Sequence, residues 1–136
     1  MKLFAILFCL VINVNCFAQN EFFNTEGKRV IGTFFEGFHK GDTAQMSSVM
    51  TNYMRLTSAF VLKNGTNNVS INSGKDFLAA VANRPVDQVW KEVLKGYKGK
   101  MDGNLAHIWA PYEFRINGKL SHCGTNSFTL VKTDEG

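Results

Sequence analysis

"LAHIWAPYEFRINGKLSHCGTNSFTLVK", residues 105–132, decides how this chain folds. Two alternating runs, 105–116 and 119–132, flank the dipeptide Asn117-Gly118. Both turn positions tolerate positive φ, so Asn-Gly between such runs marks an antiparallel hairpin with a two-residue turn. That turn sets Ile116 opposite Lys119, and the register follows from there. Glu113 then falls opposite His122, Pro111 opposite Gly124, Trp109 opposite Asn126 and His107 opposite Phe128, all on one face with Leu130. The other face carries Ile108, Ala110, Tyr112 and Phe114 against Ser121, Cys123, Thr125 and Ser127.

Working backwards, "WKEVLKGY" (90–97) reads as a further strand and "KGKMDGN" (98–104) as the turn that joins it to the hairpin. "NYMRLTSAFVL" (52–62) alternates with one face more apolar and ends at an Asn64-Gly65 turn. Three helices are expected among these strands. "KRVIGTFFEGFHK" (28–40) carries Val30, Ile31, Phe34, Phe35 and Phe38 on one stripe, and Gly41 suits its C-terminus. Asp42 with Gln45 has the spacing of a capping box for the second, whose buried side is Met46, Val49 and Met50. Ser73 and Asp76 open the third, and Pro85 stops it.

The N-terminus reads as an export leader. Lys2, an apolar run from Leu3 to Val14 and the small residues Cys16 and Ala18 have the order of a signal peptide with cleavage after Ala18. The run is too short to span a bilayer, so no stable membrane insertion is expected after cleavage. Residues 19–136 then form one domain, large enough to bury a core without disulfides. Cys9 and Cys16 leave with the leader, so Cys123 has no intramolecular partner and is expected as a buried thiol. The chain carries a formal charge of +4, and losing Lys2 lowers it by one. So small and scattered an excess does not indicate nucleic-acid binding.

His122 and Glu113 are the candidate catalytic pair. A carboxylate across a ladder from an imidazole either favours its protonated form or orients the neutral ring, and both serve proton transfer. On the same face Trp109 offers an aromatic wall, Asn126 a donor and acceptor, and Gly124 room for a ligand beside the backbone. An ordinary cross-strand ion pair is the alternative, and a bulge would separate the two residues. His107 reads as a packed or rim residue, and His39 as a cation suited to the end of a helix dipole. No metal-ligand spacing connects the histidines, so neither metal nor cofactor is expected.

Helix, helix, strand, helix and then long antiparallel strands make an α+β plan. With "FFEGFHKGD" (34–42) and the terminal segment 105–136, the chain resembles the nuclear transport factor 2-like superfamily in its SnoaL-like, ketosteroid isomerase-like branch. The resemblance implies a cone-shaped (cystatin-like) α+β barrel, a curved antiparallel or mixed sheet wrapped around three N-terminal helices. It also implies a pocket for a small apolar or aromatic molecule and a homodimer through the outer sheet face, which would carry Tyr112, Phe114, Cys123 and Thr125. Relatives include isomerases, dehydratases and cyclases that work without metals, and members with no known activity. Isomerase-like sites use a tyrosine on the first helix; here Phe34, Phe35 and Phe38 stand there, so that set does not transfer. Members commonly continue past the "TDEG" turn (133–136), so a truncated reading frame and an exposed sheet edge are also expected.

Overall fold

The computed structural model describes residues 23–134, so the expected leader and its cleavage site lie outside the described residues. These residues divide into two compact units. The first comprises 23–29, 94–112 and 123–134; the second comprises 30–93 and 113–122. A π-type turn at Phe23–Gly27 leads into helix α1 (Lys28–Lys40). There follow helix α2 (Thr43–Ser47), strands β1 (Arg55–Val61) and β2 (Asn67–Ser73), helix α3 (Gly74–Ala82), and strands β3 (Trp90–Leu94), β4 (Lys98–Asp102), β5 (Leu105–Ile116) and β6 (Lys119–Val131). β1 and β2 form an antiparallel pair, while β3, β4 and β6 all pair with β5. The expected α+β class holds, with two more strands than the sequence suggested.

In the second unit, the corner after α1 is a Schellman motif. Gly41 at φ 76° closes the helix; the Asp42 N–H donates to the Gly37 carbonyl at 2.9 Å and the Gly41 N–H to Phe38 at 3.2 Å. Arg84 adds a guanidinium to the same end, with Nη1 donating to the Phe38 carbonyl at 2.9 Å. Asp42 then caps α2 by accepting from the Gln45 N–H at 2.9 Å. Only half of the expected capping box forms, because the Gln45 amide instead donates to Glu36 at 3.0 Å. Ser47 and Ser48 turn their hydroxyls back onto the carbonyls of Thr43 and Gln45 at the end of that short helix. Ser73 caps α3 as expected, accepting from the Asp76 N–H at 3.1 Å. Ile31, Phe35, Phe38, Met46 and Val81 are the buried apolar side chains of this unit.

β2 went unrecognised in "NGTNNVSIN" because its residues are mostly polar and exposed on both faces. An Asx turn starts it, with Asn64 Oδ1 accepting from the Thr66 N–H at 3.0 Å. β1 shows the expected alternation only in its first half, with Leu56 and Ser58 half-buried between exposed neighbours and Phe60 exposed.

In the first unit, most of "KGKMDGN" is strand rather than turn: β4 pairs with β5 from Lys98↔Trp109 to Asp102↔Leu105, and only Gly103 and Asn104 turn the chain. The break between β3 and β4 has a chemical cause. Lys95 donates to the Pro111 carbonyl at 2.7 Å, and proline has no N–H to return to the ladder. Asn104 fastens the far end of β6, its carbonyl accepting from the Lys132 N–H at 2.8 Å.

The β5–β6 turn forms as expected, with Asn117 at φ 51° and Gly118 at φ 76°. Asn117 also holds the chain before β3: its Oδ1 accepts from the Val89 N–H at 2.7 Å and its amide donates to the Asp87 carbonyl at 3.0 Å. Beyond the turn the expected register is one residue out. His122 lies against Phe114, with ring centroids 5.1 Å apart. A Cβ at Gly124 would meet the Tyr112 ring, and Ser127 Oγ lies 3.1 Å from His107 Nε2. Each pair joins residues that the turn register puts on opposite faces. Burial agrees, since Ala106, Ile108 and Ala110 are buried while Asn126, Phe128 and Leu130 are the shielded positions of β6. A shift of one residue in the β5–β6 pairing beyond the turn accounts for all three contacts.

Candidate functional site

The register shift redistributes the expected site. Trp109 and His107 stay together on the exposed face of β5 in the first unit, where Lys98 lies directly across the ladder from Trp109 and Lys100 across from His107. Side chains opposite one another on antiparallel strands share a face. Lys98, Gly99, Lys100, His107 and Trp109 line an open depression of about 300 Å3, at the lower end of the range for small-molecule sites. Trp109 is 51% exposed, so its indole is available as a platform. His107 is exposed, as a rim residue would be, and shares a hydrogen bond with the Ser127 hydroxyl.

Gly124 does not leave room for a ligand. A Cβ there would lie 2.8 Å from the Tyr112 Oη and 2.9 Å from its Cζ, so the phenol occupies the space that the missing side chain leaves. Asn126 is half-buried on β6, on the same alternation as Phe128 and Leu130. Cys123 is exposed, against the expectation of a buried thiol.

In the second unit, His122 closes a chain of rings. Phe38 stacks on Phe77 at 6.1 Å and meets Trp90 at 6.1 Å and Phe114 at 6.2 Å. Phe114 in turn meets Trp90 edge-on at 6.1 Å and His122 at 5.1 Å. Such contacts are favourable beyond their area burial, each by roughly 0.5–1.5 kcal/mol. Phe114 is therefore part of an aromatic interior, not of an outer dimer face with Cys123. His122 is exposed, and its Nδ1 lies 3.2 Å from the Ser121 hydroxyl. Glu113 accepts from Arg115 Nη2 at 2.7 Å, an ion pair that the sequence reading missed because the two residues sit two apart on one strand.

His39 departs from its expected role too. The Glu92 N–H donates to His39 Nε2 at 3.0 Å, and the Glu92 carbonyl lies equally close. Burial lowers the His39 pKa; the Glu92 carbonyl opposes this, and Lys91 and Arg84 add to the lowering. A neutral ring with its proton on Nδ1 fits this setting, so His39 is a backbone clasp and not a cation at the helix end. A second, smaller depression of about 160 Å3 lies at the start of α3, beside Ser47, Met50, Asn52, Lys75 and Leu78. Among the described residues no three His, Cys, Asp or Glu side chains come together to hold a metal, and no helix is long and apolar enough to cross a membrane.

No family model matches this chain, and no curated protein does. Among solved structures it is similar to a provisionally assigned dehydratase of the NTF2-like family from Streptomyces avermitilis, at 14% identity with a TM-score of 0.62. The match covers 86% of this chain and 89% of that one. This order of helices and antiparallel strands thus defines an NTF2-like α+β fold, although the described strands form two separate sheets and not the single closed barrel expected. At that identity the likeness is one of fold, and fold alone does not assign chemistry.

Proposed function

We propose that this chain is an exported binding protein for a small apolar or aromatic molecule, which lies on Trp109. The observation that carries the reading is the open depression of about 300 Å3 beside that half-exposed indole. Aromatic platforms bind flat apolar surfaces with little ordering cost, because an indole has only two torsions to fix. A homodimer is the proposed assembly.

The alternative is a metal-independent isomerase, dehydratase or cyclase with His122 as general base; Glu113, expected to orient it, is engaged by Arg115 instead. The similarity to an NTF2-like dehydratase favours it. The exposure of His122 weighs against it, since a base in water gains little from its surroundings.

Calorimetric titration of the full chain with 2-naphthamide, a neutral planar probe, separates these readings. The binding reading expects saturable heat that is lost in Trp109→Ala and kept in His122→Gln. Heat lost in His122→Gln and kept in Trp109→Ala would overturn it in favour of the alternative.

A further inference from the structure

We infer that the Trp109 depression is selective for anions, and that its ligand class is a planar aromatic carboxylate. This rests on the reading of Trp109 as the ligand platform and adds the ligand's charge. Lys98 and Lys100 stand two apart on β4 and so present their ammonium groups to one face, directly across from Trp109 and His107. The five residues that line the depression include two lysines and no carboxylate. Asp102 follows on the same alternation, but it pairs with Leu105 at the end of the ladder and does not line the depression.

The arrangement matches a ligand with two parts. An aromatic ring laid on the indole leaves a carboxylate at its edge within reach of ammonium groups on flexible four-carbon stems. Gly99, between the lysines, adds no side chain of its own to the depression. Ser127 holds His107 Nε2 at 3.1 Å, which fixes the imidazole beside the platform as a further polar group. Nonspecific polyanion binding would need a longer basic track than two lysines on one strand supply.

The test compares 2-naphthoate with its neutral isostere 2-naphthamide by calorimetry on the full chain, at low and high salt. Exposed ammonium–carboxylate pairs are individually weak, so the expected preference for naphthoate is roughly five- to tenfold at low salt and is screened out towards 1 M. In Lys98→Gln/Lys100→Gln the preference is expected to vanish while naphthamide binding persists, and Trp109→Ala is expected to lose both probes. Equal affinities in the unsubstituted chain would overturn the anion selectivity and leave the platform standing. A naphthoate preference that survives the double lysine variant would place the anion elsewhere and also overturn it. Binding of neither probe would overturn the platform reading itself, and the selectivity with it.

Discussion

The His39 imidazole accepts a hydrogen bond from the Glu92 backbone N–H at 3.0 Å, joining the end of α1 to the middle of β3 through a neutral ring. Burial holds its pKa below the ordinary imidazole value near 6.5. The sign of the pH dependence follows. Above about pH 7 the ring is neutral in both folded and unfolded chains, so its contribution is complete. As pH falls through the unfolded value the unfolded chain takes up the proton first, and stability is lost until the lower folded value is passed. Urea unfolding between pH 7.5 and pH 5 is expected to show this loss, with a shallower slope in His39→Gln. An unchanged slope would remove His39 as its source.

Three glycines on and after one helix predict three different responses. A Cβ on Gly37 would lie 2.8 Å from the Asp42 carbonyl and 3.0 Å from the Met46 nitrogen, both backbone atoms that hold the corner. Gly37→Ala is expected to cost about 1–3 kcal/mol, as overpacking does. Gly41 sits at φ 76°, where alanine costs about 1 kcal/mol. Gly32 has nothing within 4 Å of its Cβ position, and Gly32→Ala should stabilise by about 0.5–1 kcal/mol through helix propensity alone. Chemical denaturation of the three variants checks the order, and a Gly37→Ala protein as stable as Gly32→Ala would contradict the close corner.

The same residues show what was legible in the sequence. α1, the Ser73 cap, the first half of β1 and the Asn117-Gly118 turn are local signals, each carried by a few adjacent residues, and they hold. β2 was lost because an exposed hairpin strand has no apolar face to reveal it. β4 was lost because glycine and lysine read as turn chemistry until a partner strand is present. The site suffered most from one residue. Side-chain direction in a strand has period two, so a one-residue shift in the β5–β6 pairing moves His122 to the face of Phe114 and takes it off the face expected to bear Glu113. The depression at Trp109 could have been found from "KGKMDGN" had it been read as strand, since Lys98 and Lys100 then fall opposite Trp109 and His107.

Cys123 offers a check on its exposure that needs no further structure. Its thiol is exposed on β6, so in the chain lacking residues 1–18 it should react with an aromatic disulfide reagent in native buffer at a rate within roughly tenfold of that in denaturant. A reaction that waits for unfolding would restore the buried thiol expected from the sequence.

Gly124 and Tyr112 test the corrected register directly. The Cβ position of Gly124 lies 2.8 Å from Tyr112 Oη, 2.9 Å from Cζ and 3.0 Å from Cε1, so an added methyl must push the phenol aside. Gly124→Ala is therefore expected to destabilise by about 1–2 kcal/mol, although alanine is the better strand residue elsewhere. Shortening the obstacle should reverse the sign. In a Tyr112→Leu background the same substitution is expected to be neutral or mildly stabilising, a coupling of about 1 kcal/mol or more between residues in contact. In the turn-derived register Gly124 would face Pro111, with Tyr112 on the opposite face, and the two substitutions would simply add. Equilibrium unfolding of the two single variants and the double variant thus decides between the registers, and additivity within about 0.3 kcal/mol would return His122 to the face of Glu113.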